Sequence, residues 1–492
     1  MFDSSSHAAL RRAILSLGVC LVASLAGCQC GSEDTETVDV PARRAGKGTK
    51  AGKRRGTSQA SGSNRDQNAG GTPGLVLFVV MDTVRADHTS LCNYARPTTP
   101  TLTSLARKEG FVHTCRAYSP APWTLPSHAS FFTGRSVTDH AAMFVAKSDV
   151  KVHDTISVRP LASEETTLAE RFAAEGFQTA AITANIIVNE ASGLLQGFEH
   201  TLVSPGMQGF RDRKLSKGLT QLLKPVDPDA PLFLFVNIYD AHDPYPPIPE
   251  GVGWVPAQER VRLDAYTRDL DNPYYAFLEG AMPDDVRQPW LQTLTNGYDY
   301  GISRADKNVA SILTTLEKGG FLDDGWRIAI TSDHGEFLGE HGKLRHSGFM
   351  WEPGVNVPFL YQDSTRAEQP SLPEPFGTLN VHDLLLTGAL PDPVLPPETI
   401  SEKNPDDLLV GEVGAATWAG ELKVMCRDGM HEQYDLATDP DESQPQAVAT
   451  SVQPTLDALC ARVDALHELP PPAVDAELMQ MLEAAGYVEG DD

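Results

Sequence analysis

Four largely apolar runs of the chain end in polar residues. The runs occupy residues 75–81, 179–184, 232–239 and 327–332. Nearly unbroken apolar runs of this length are typical of strands buried on both faces of a parallel sheet. Because the carboxyl ends of parallel strands meet at one edge of the sheet, we expect the polar residues there to converge. These residues are Asp82, Asn185, Asp240, His242, Asp333 and His334.

Helix signals lie between these runs. Thr99 can cap a helix that has Pro100 at its first position and ends before Gly110, and Ser163 begins another that closes at Gly176. A further set of apolar residues recurs at intervals of three and four, which predicts an amphipathic helix whose purpose is packing on the sheet. Its members are Leu291, Leu294, Tyr298, Ile302, Ala305, Val309, Ile312 and Leu316, and two glycines stop it at 319–320. The alternation predicts an α/β fold, with a large, mostly parallel sheet flanked by helices.

The pattern changes near residue 370. Prolines cluster at 391–397, and a hairpin is expected to turn at Asp428-Gly429. A last helix is expected near 476–485. These signals predict a smaller C-terminal α+β subdomain.

The N-terminus has the pattern of a bacterial lipoprotein signal. Arg11 and Arg12 precede an apolar run that is short for a membrane span, and small residues lead directly to Cys28. Cys28 would then carry the lipid; the alternative is an ordinary cleaved signal with an incidental cysteine. The following stretch is poor in large apolar side chains, so we expect a disordered tether. The predicted organisation is a signal peptide at 1–27, a basic tether at 28–73, a catalytic α/β domain at 74–370 and the subdomain at 371–492.

The charge distribution and the cysteine count limit which partners and which covalent cross-links the protein can have. Residues 1–73 hold 10 basic and 6 acidic side chains, which leaves 30 of the 40 basic and 60 of the 66 acidic side chains in the rest of the chain. The resulting net charge of −30 argues against a nucleic-acid partner, whereas the basic tether suits an anionic membrane surface. Five of the seven cysteines remain once Cys20 and Cys28 are assigned to the signal and the lipid. Their spacing predicts at most one or two disulfides of unspecified pairing.

Thr124 is a candidate nucleophile. Pro126 suits the first position of a helix and Gly134 its stop, so a helix is expected from Ser127 to Thr133. Thr124 would lie just ahead of this helix, where the helix dipole and unpaired N–H groups stabilise an anionic ester or an alkoxide. The alternative is a capping threonine with no chemical role.

Asp82, Asp333 and His334 are candidate metal ligands. Carboxylates and imidazole suit Mg²⁺, Mn²⁺, Ca²⁺ or Zn²⁺ rather than a soft metal. Around Asp333, glycine, carboxylate and imidazole alternate in a loop that must bend closely around an ion. The alternative is a polar loop whose hydrogen bonds are satisfied internally.

Seven segments, in this order, resemble the sulfatase family of the alkaline-phosphatase-like superfamily. They are VVMDTVRAD (79–87), RPTTP (96–100), APWTLPSH (121–128), YDAHDPY (239–245), TSDHGE (331–336), GEHG (339–342) and YDLATDPDE (434–442). The resemblance covers residues 74–490. It implies that Asp82, Asp333 and His334 bind one divalent cation, that Thr124 is the nucleophile touching it, and that His242 contacts the ester.

The resemblance does not assign a role to two further histidines. His341 and His346 follow the metal loop, and either could hold the substrate or a second metal. A plain structural role is the alternative for both. A nearby imidazole such as that of His242 can protonate the leaving oxygen, while a cation lowers the pKa of the nucleophilic hydroxyl.

The chain departs from the family pattern at two places. Typical sulfatases have a cysteine or serine where this chain has Thr124, convert it to formylglycine, and have an arginine where this chain has His128. Threonine carries an extra methyl group on Cβ and cannot be oxidised to an aldehyde, so no formylglycine is expected. His128, in the place of the family's arginine, is a candidate catalytic residue. The family's lysine and histidine after the second apolar run are replaced around Asn185, which can still donate a hydrogen bond to the substrate.

Together these features predict an exported, lipid-anchored hydrolase of the bacterial cell envelope. It would cleave a sulfate or phosphate ester of a glycan, lipid or small molecule with a divalent metal ion and Thr124. The alternatives are a phosphotransferase or phosphodiesterase of the same superfamily and a degenerate surface binding lipoprotein. A serine hydrolase using Ser127 and His128 is disfavoured because the chain has no Gly-x-Ser-x-Gly turn.

Overall fold

The computed structural model describes residues 71–144, 151–153, 156–204, 213–249, 252, 273–346, 348–401 and 413–469. The predicted signal peptide, the lipidated Cys28, the tether and the last helix at 476–485 lie outside these residues. Among the described residues, no helix combines the length and apolar character needed to cross a membrane.

A large sheet forms the centre of the described structure. Its eight strands are β1 (Leu75–Met81), β2 (Val112–Tyr118), β6 (Gln178–Thr183), β7 (His200–Val203), β8 (Leu232–Ile238), β9 (Trp326–Thr331), β12 (Asn356–Asp363) and β13 (Phe376–Gly377). They are arranged in the order β13-β2-β12-β9-β1-β8-β6-β7. The neighbours of β1 are parallel to it, and β12 is antiparallel to both of its neighbours. The four strands predicted from the apolar runs are therefore confirmed, and the fold is α/β with a mostly parallel sheet.

Helices flank the large sheet, and the last of them packs against apolar residues of the C-terminal part of the chain, Ile400, Ala415 and Val424. The helices are α1 (Pro100–Ala106), α2 (Thr124–Thr133), α3 (Val137–His140), α4 (Leu168–Ala174), α5 (Arg213–Leu222), α6 (Pro273–Leu278), α7 (Asp284–Lys318), α8 (Glu352–Val355), α9 (Val381–Thr387) and α10 (Gln453–His467). Residues on opposite faces of β1 belong to two separate apolar clusters, one with α2 and α9 and the other with α7. The core therefore lies on both faces of the sheet, as its apolar strands require.

Two helix starts differ from the prediction. α2 begins at Thr124 because Trp123 is extended, and Pro126 is its third residue. A proline is tolerated there because the first N–H groups of a helix have no intrahelical acceptor. α4 begins after Thr167 rather than at Ser163, because Thr167 and Glu170 form a capping box.

A second sheet forms the smaller C-terminal subdomain. Its antiparallel strands are β14 (Glu398–Ser401), β15 (Gly414–Ala419), β16 (Leu422–Arg427) and β17 (Met430–Asp435). The hairpin turns at Asp428-Gly429, as predicted, and both residues have positive φ. Short strands complete the list: β3 (Met143–Phe144), β4 (Lys151–His153), β5 (Ile156–Arg159), β10 (Phe337–Leu338) and β11 (Leu344–Arg345).

Two disulfides connect the described cysteines. Cys92 pairs with Cys115, and Cys426 on β16 pairs with Cys460 on α10. The pairing was not specified by the spacing in the sequence. The paired cysteines are 23 and 34 positions apart in the sequence, respectively. Each disulfide closes a loop and so reduces the conformational entropy of the unfolded chain.

Candidate active site

The strand ends bring the predicted metal ligands together. Asp82 follows β1, and Asp333 and His334 follow the neighbouring strand β9. One ligand atom from each residue lies within 4.8 Å of the others, and all three side chains are fully buried. This cluster is a candidate metal centre.

The unsatisfied atoms of the cluster fit a cation. Oδ1 of Asp82 and Oδ2 of Asp333 are buried without a hydrogen-bond partner in the described structure. The Nδ1 atom of His334 donates to the carbonyl oxygen of Gly335 at 3.0 Å, which leaves the Nε2 lone pair for a ligand. Nε2 lies 3.4 Å from Oδ2 of Asp333 and 3.9 Å from Oδ1 of Asp82. Two carboxylate oxygens and one imidazole nitrogen form a donor set suited to a hard or borderline divalent cation.

Burial sets the charge state of this cluster. Desolvation, reinforced by the mutual repulsion of the two carboxylates, raises the pKa of Asp82 to about 7. Desolvation likewise raises the pKa of Asp333 to about 7 and lowers the pKa of His334. A bound divalent cation would lower the pKa values of both carboxylates, against the effect of burial, and would lower the pKa of His334 further, because it favours ionised carboxylates and neutral imidazole.

Thr124 lies beside the candidate metal ligands. It is the first residue of α2, and its hydroxyl oxygen lies 3.4 Å from Nε2 of His334. The Thr124 hydroxyl was expected just ahead of a helix. It lies instead on the first residue of that helix, where the positive end of the helix dipole still faces the oxygen.

Asn185 contacts both Thr124 and Asp82, and Asn237 contacts Asp82. Nδ2 of Asn185 donates to the Thr124 hydroxyl oxygen at 3.0 Å and to Oδ2 of Asp82 at 2.7 Å. Nδ2 of Asn237 donates to the same Asp82 oxygen at 3.2 Å. Asn185 was expected to bind substrate; the structure directs its amide at the candidate nucleophile Thr124 and the candidate metal ligand Asp82.

His128 lies one helical turn after the candidate nucleophile Thr124. Its Nδ1 atom is 2.9 Å from the carbonyl oxygen of Thr124, one helical turn earlier, and 3.6 Å from Oδ2 of Asp333. The ring is fully buried among the rings of Phe131, Phe132 and Phe235. Burial lowers the pKa of His128 to about 3, so the ring is neutral. The structure thus places His128 against the backbone of Thr124 rather than its hydroxyl.

The rings of His346 and His242 follow one another outward from the candidate metal ligand His334. The ring of His346 lies 4.4 Å from that of His334, and the ring of His242 lies 4.8 Å from that of His346. His242 also stacks on Tyr239 at 4.2 Å. Both are half-buried and therefore suited to contact a bound ester. His341 is exposed instead, and its ring stacks on Trp351 at 4.2 Å.

Several residues of the site were not identified from the sequence. Glu336 is fully buried, and its Oε1 atom lies 3.3 Å from Nδ1 of His346. Burial and nearby carboxylates raise the pKa of Glu336 well above its usual range. Glu336 belongs to the quoted motif around Asp333, so its position was available in the sequence. Asn237 was harder to identify, because its only mark in the sequence is that it is a polar residue inside an apolar strand.

Comparisons with known proteins agree with this fold. The sulfatase family model matches residues 75–385. Human iduronate 2-sulfatase is 28% identical over 189 residues, which are 33% of this chain and 32% of that protein. The chain thus aligns with about a third of the length of this curated relative.

Two solved structures show the same fold at low identity. BT4656, in complex with its substrate D-glucosamine-2-N,6-O-disulfate, is 17% identical with a TM-score of 0.57, covering 82% of this chain and 98% of that chain. The phosphonate monoester hydrolase of Agrobacterium radiobacter is 17% identical with a TM-score of 0.55, covering 80% of this chain and 95% of that chain. The family model covers more than half of the 492 residues. The chain belongs to the sulfatase family.

Proposed function

We propose that the protein is an exported, metal-dependent hydrolase that transfers the sulfuryl or phosphoryl group of an ester to Thr124 and then to water. One observation carries this proposal. The Thr124 hydroxyl lies beside His334 Nε2, in a fully buried cluster whose two carboxylates each keep one unpartnered oxygen. A capping threonine has no need of such a cluster.

The residues have separate tasks in this proposal. Asp82, Asp333 and His334 would hold the divalent cation, with Thr124 as a further oxygen ligand. A cation held there lowers the pKa of the hydroxyl and screens the negative charge of the ester. The position of the Thr124 hydroxyl at a helix N-terminus supports its role as the nucleophile, and the imidazoles of His242 and His346 lie on the outer side of the site.

The bond changes balance over two steps. In the first, the Thr124 oxygen forms a bond to sulfur or phosphorus while the bond to the ester's bridging oxygen breaks. The Thr124 proton goes to solvent and the departing alkoxide takes a proton, for which His242 is the candidate donor. In the second step, water attacks the threonyl ester, releases the anion and restores the hydroxyl of Thr124.

Two features bear on the substrate and the location. The methyl group on Cβ of Thr124 excludes the aldehyde route, so the intermediate is an ordinary threonyl ester, which suits phosphoryl transfer as well as sulfuryl transfer. The two disulfides support folding in an oxidising compartment, in keeping with the proposed export and lipid anchor. Mass spectrometry of the mature N-terminus tests the anchor, because an unmodified Cys28 would refute it.

A substrate panel tests the activity. The mature full-length protein is assayed with an aryl sulfate, a phosphate monoester and a phosphate diester, each with Mg²⁺, Mn²⁺, Ca²⁺ or Zn²⁺. Turnover of at least one ester that requires a divalent cation is expected. An alcohol added as a competing acceptor distinguishes hydrolysis from phosphotransfer. Absence of turnover in every combination, together with tight binding of a glycan, would support the degenerate binding protein instead.

A further inference from the structure

Asn185 donates a hydrogen bond to the hydroxyl of Thr124. Its Nδ2 atom lies 3.0 Å from Thr124 Oγ1, compared with 3.4 Å for Nε2 of His334. The same nitrogen lies 2.7 Å from Oδ2 of Asp82. An amide NH₂ group has two hydrogens, so one can go to each oxygen. Asn185 therefore joins the nucleophile to a candidate metal ligand.

The backbone fixes which end of the Asn185 amide faces Thr124. Its Oδ1 atom accepts a hydrogen bond from the N–H group of Ile187 at 2.8 Å. If the amide were flipped, NH₂ would face this N–H donor and the oxygen would face the carboxylate of Asp82. Both contacts would then be repulsive, so the donor end is held toward Thr124.

Asn237 holds Asn185 in place. Its Oδ1 atom accepts hydrogen bonds from the N–H groups of Asn185 at 2.9 Å and Ala184 at 3.3 Å. Its Nδ2 atom donates to Asp82 at 3.2 Å. Asn185 and Asn237 are both buried, at 1% and 0% exposure. Asn237 therefore fixes the backbone of Asn185, and both side chains donate to the same oxygen of Asp82, so the donor is held in place before substrate binds.

A donor at this position has a specific effect on Thr124. Because Asn185 donates to the hydroxyl oxygen, the Thr124 proton must point away from Asn185. As the proton leaves, negative charge grows on an oxygen that already accepts a preorganised hydrogen bond, and this stabilises the charge without reorganisation.

We propose that Asn185 is a catalytic residue that stabilises the negative charge of the Thr124 oxygen, and that Asn237 is its positioning residue. The hydrogen bond acts when the oxygen attacks the ester and again when the threonyl ester is broken and the oxygen leaves. No bond to Asn185 forms or breaks. The inference rests on the proposed function, because it takes Thr124 as the nucleophile.

Two substitutions of Asn185 test the donor. The full-length, metal-loaded protein is assayed with the best ester of the substrate panel. Asn185→Ala removes the donor and should lower kcat about 100-fold with little change in KM, as for loss of one oxyanion donor. Asn185→Asp keeps the shape but replaces the donor with an acceptor, and should lower kcat further. Asn189→Ala is the matched control: Asn189 is buried in the same loop, where its side chain bonds Ile186 and Ser192.

The positioning role of Asn237 is tested by a double-mutant cycle. Asn237→Ala should lower kcat by a factor similar to that of Asn185→Ala, and the double variant should be little worse than either single variant. Two independent, multiplicative losses would overturn the positioning role. Metal content and thermal unfolding are measured for every variant, and Asn185→Ser replaces Asn185→Ala if the latter does not fold.

The outcomes separate this inference from the proposed function. If Thr124→Ala is inactive but Asn185→Ala and Asn185→Asp keep kcat within threefold of the wild type, the role of Asn185 is overturned and the nucleophile stands. If Thr124→Ala keeps full activity, the proposed function itself is wrong. A rise in KM with unchanged kcat would return Asn185 to substrate binding.

Discussion

The hydroxyl of Tyr298, on the long helix α7, donates a hydrogen bond of 2.6 Å to the carbonyl oxygen of Thr83. Thr83 follows the metal-ligand candidate Asp82, and its φ of 62° is unusual for a β-branched residue. The N–H group of Thr83 donates to Oδ1 of Asp333 at 3.2 Å. Tyr298 also accepts from the N–H group of Arg85 at 2.9 Å. One helix residue therefore fixes the loop that orients two candidate metal ligands.

Tyr298→Phe should weaken this loop. The substitution leaves the carbonyl of Thr83 and the N–H of Arg85 buried without their partner, which costs about 1–3 kcal/mol per group. We expect a lower free energy of unfolding and a lower metal affinity, measured by urea denaturation and by metal titration. Tyr300→Phe, on the same helix beside Arg304, is the matched control. Equal metal affinity in both variants would contradict the role of Tyr298.

Asp333→Asn should remove bound metal. The substitution takes a charge from a ligand set of two carboxylates and one imidazole, and affinity for a hard cation falls with ligand charge. Metal content of the purified protein, measured by elemental analysis, should fall to background. His341→Ala should retain metal, because His341 stacks on Trp351 outside the cluster. Loss of metal in His341→Ala with retention in Asp333→Asn would contradict the assigned ligand set.

His140 should make stability depend on pH. The ring is buried between Ser130, 2.9 Å from Nε2, and the N–H of Ala142, 3.1 Å from Nδ1. Because Nδ1 accepts that bond, the ring is held neutral, and burial lowers the pKa of His140 to about 3. Between this pKa and the ordinary value near 6.5, the unfolded state binds the extra proton. The contribution of His140 to the free energy of unfolding is therefore fully present above pH 6.5 and is lost as the pH falls toward 3.

The His140→Asn variant isolates this effect. Asparagine can accept from the N–H of Ala142 but does not titrate. Between pH 7.5 and 4.5 the wild type should lose on the order of 2 kcal/mol more unfolding free energy than the variant, as measured by urea denaturation. The same pH dependence in both proteins would show that His140 is not the cause.

Apolar patterning predicted the sheet well because burial on both faces leaves few polar positions in a strand. The runs ending at Asp82 and Asp333 became neighbouring parallel strands, so the convergence of their polar ends followed from topology. The start of α2 was not predictable in the same way. Proline is compatible with several positions of the first turn, and the extended conformation of Trp123 decided between them.

The polar residues of α7 were missed because they lie among apolar ones. The spacing of Tyr298 indicated only core packing, yet its hydroxyl supports the Asp82 loop. Asp299, its neighbour, binds His88 at 2.7 Å and Arg96 at 2.7 Å. Such contacts join residues about 200 positions apart, and local periodicity carries no information about them. The same limit applied to the disulfide pairs and to the direction of the Asn185 amide.

The central claim is that Thr124 becomes covalently attached to the transferred group. It is tested most directly by acid quenching the full-length enzyme during turnover and analysing the peptide that contains Thr124 by mass spectrometry. We predict a sulfuryl or phosphoryl adduct on Thr124 in the wild type, no adduct and no turnover in Thr124→Ala, and a retained adduct in Thr124→Ser. Full turnover by Thr124→Ala, or an adduct on another residue, would contradict the claim.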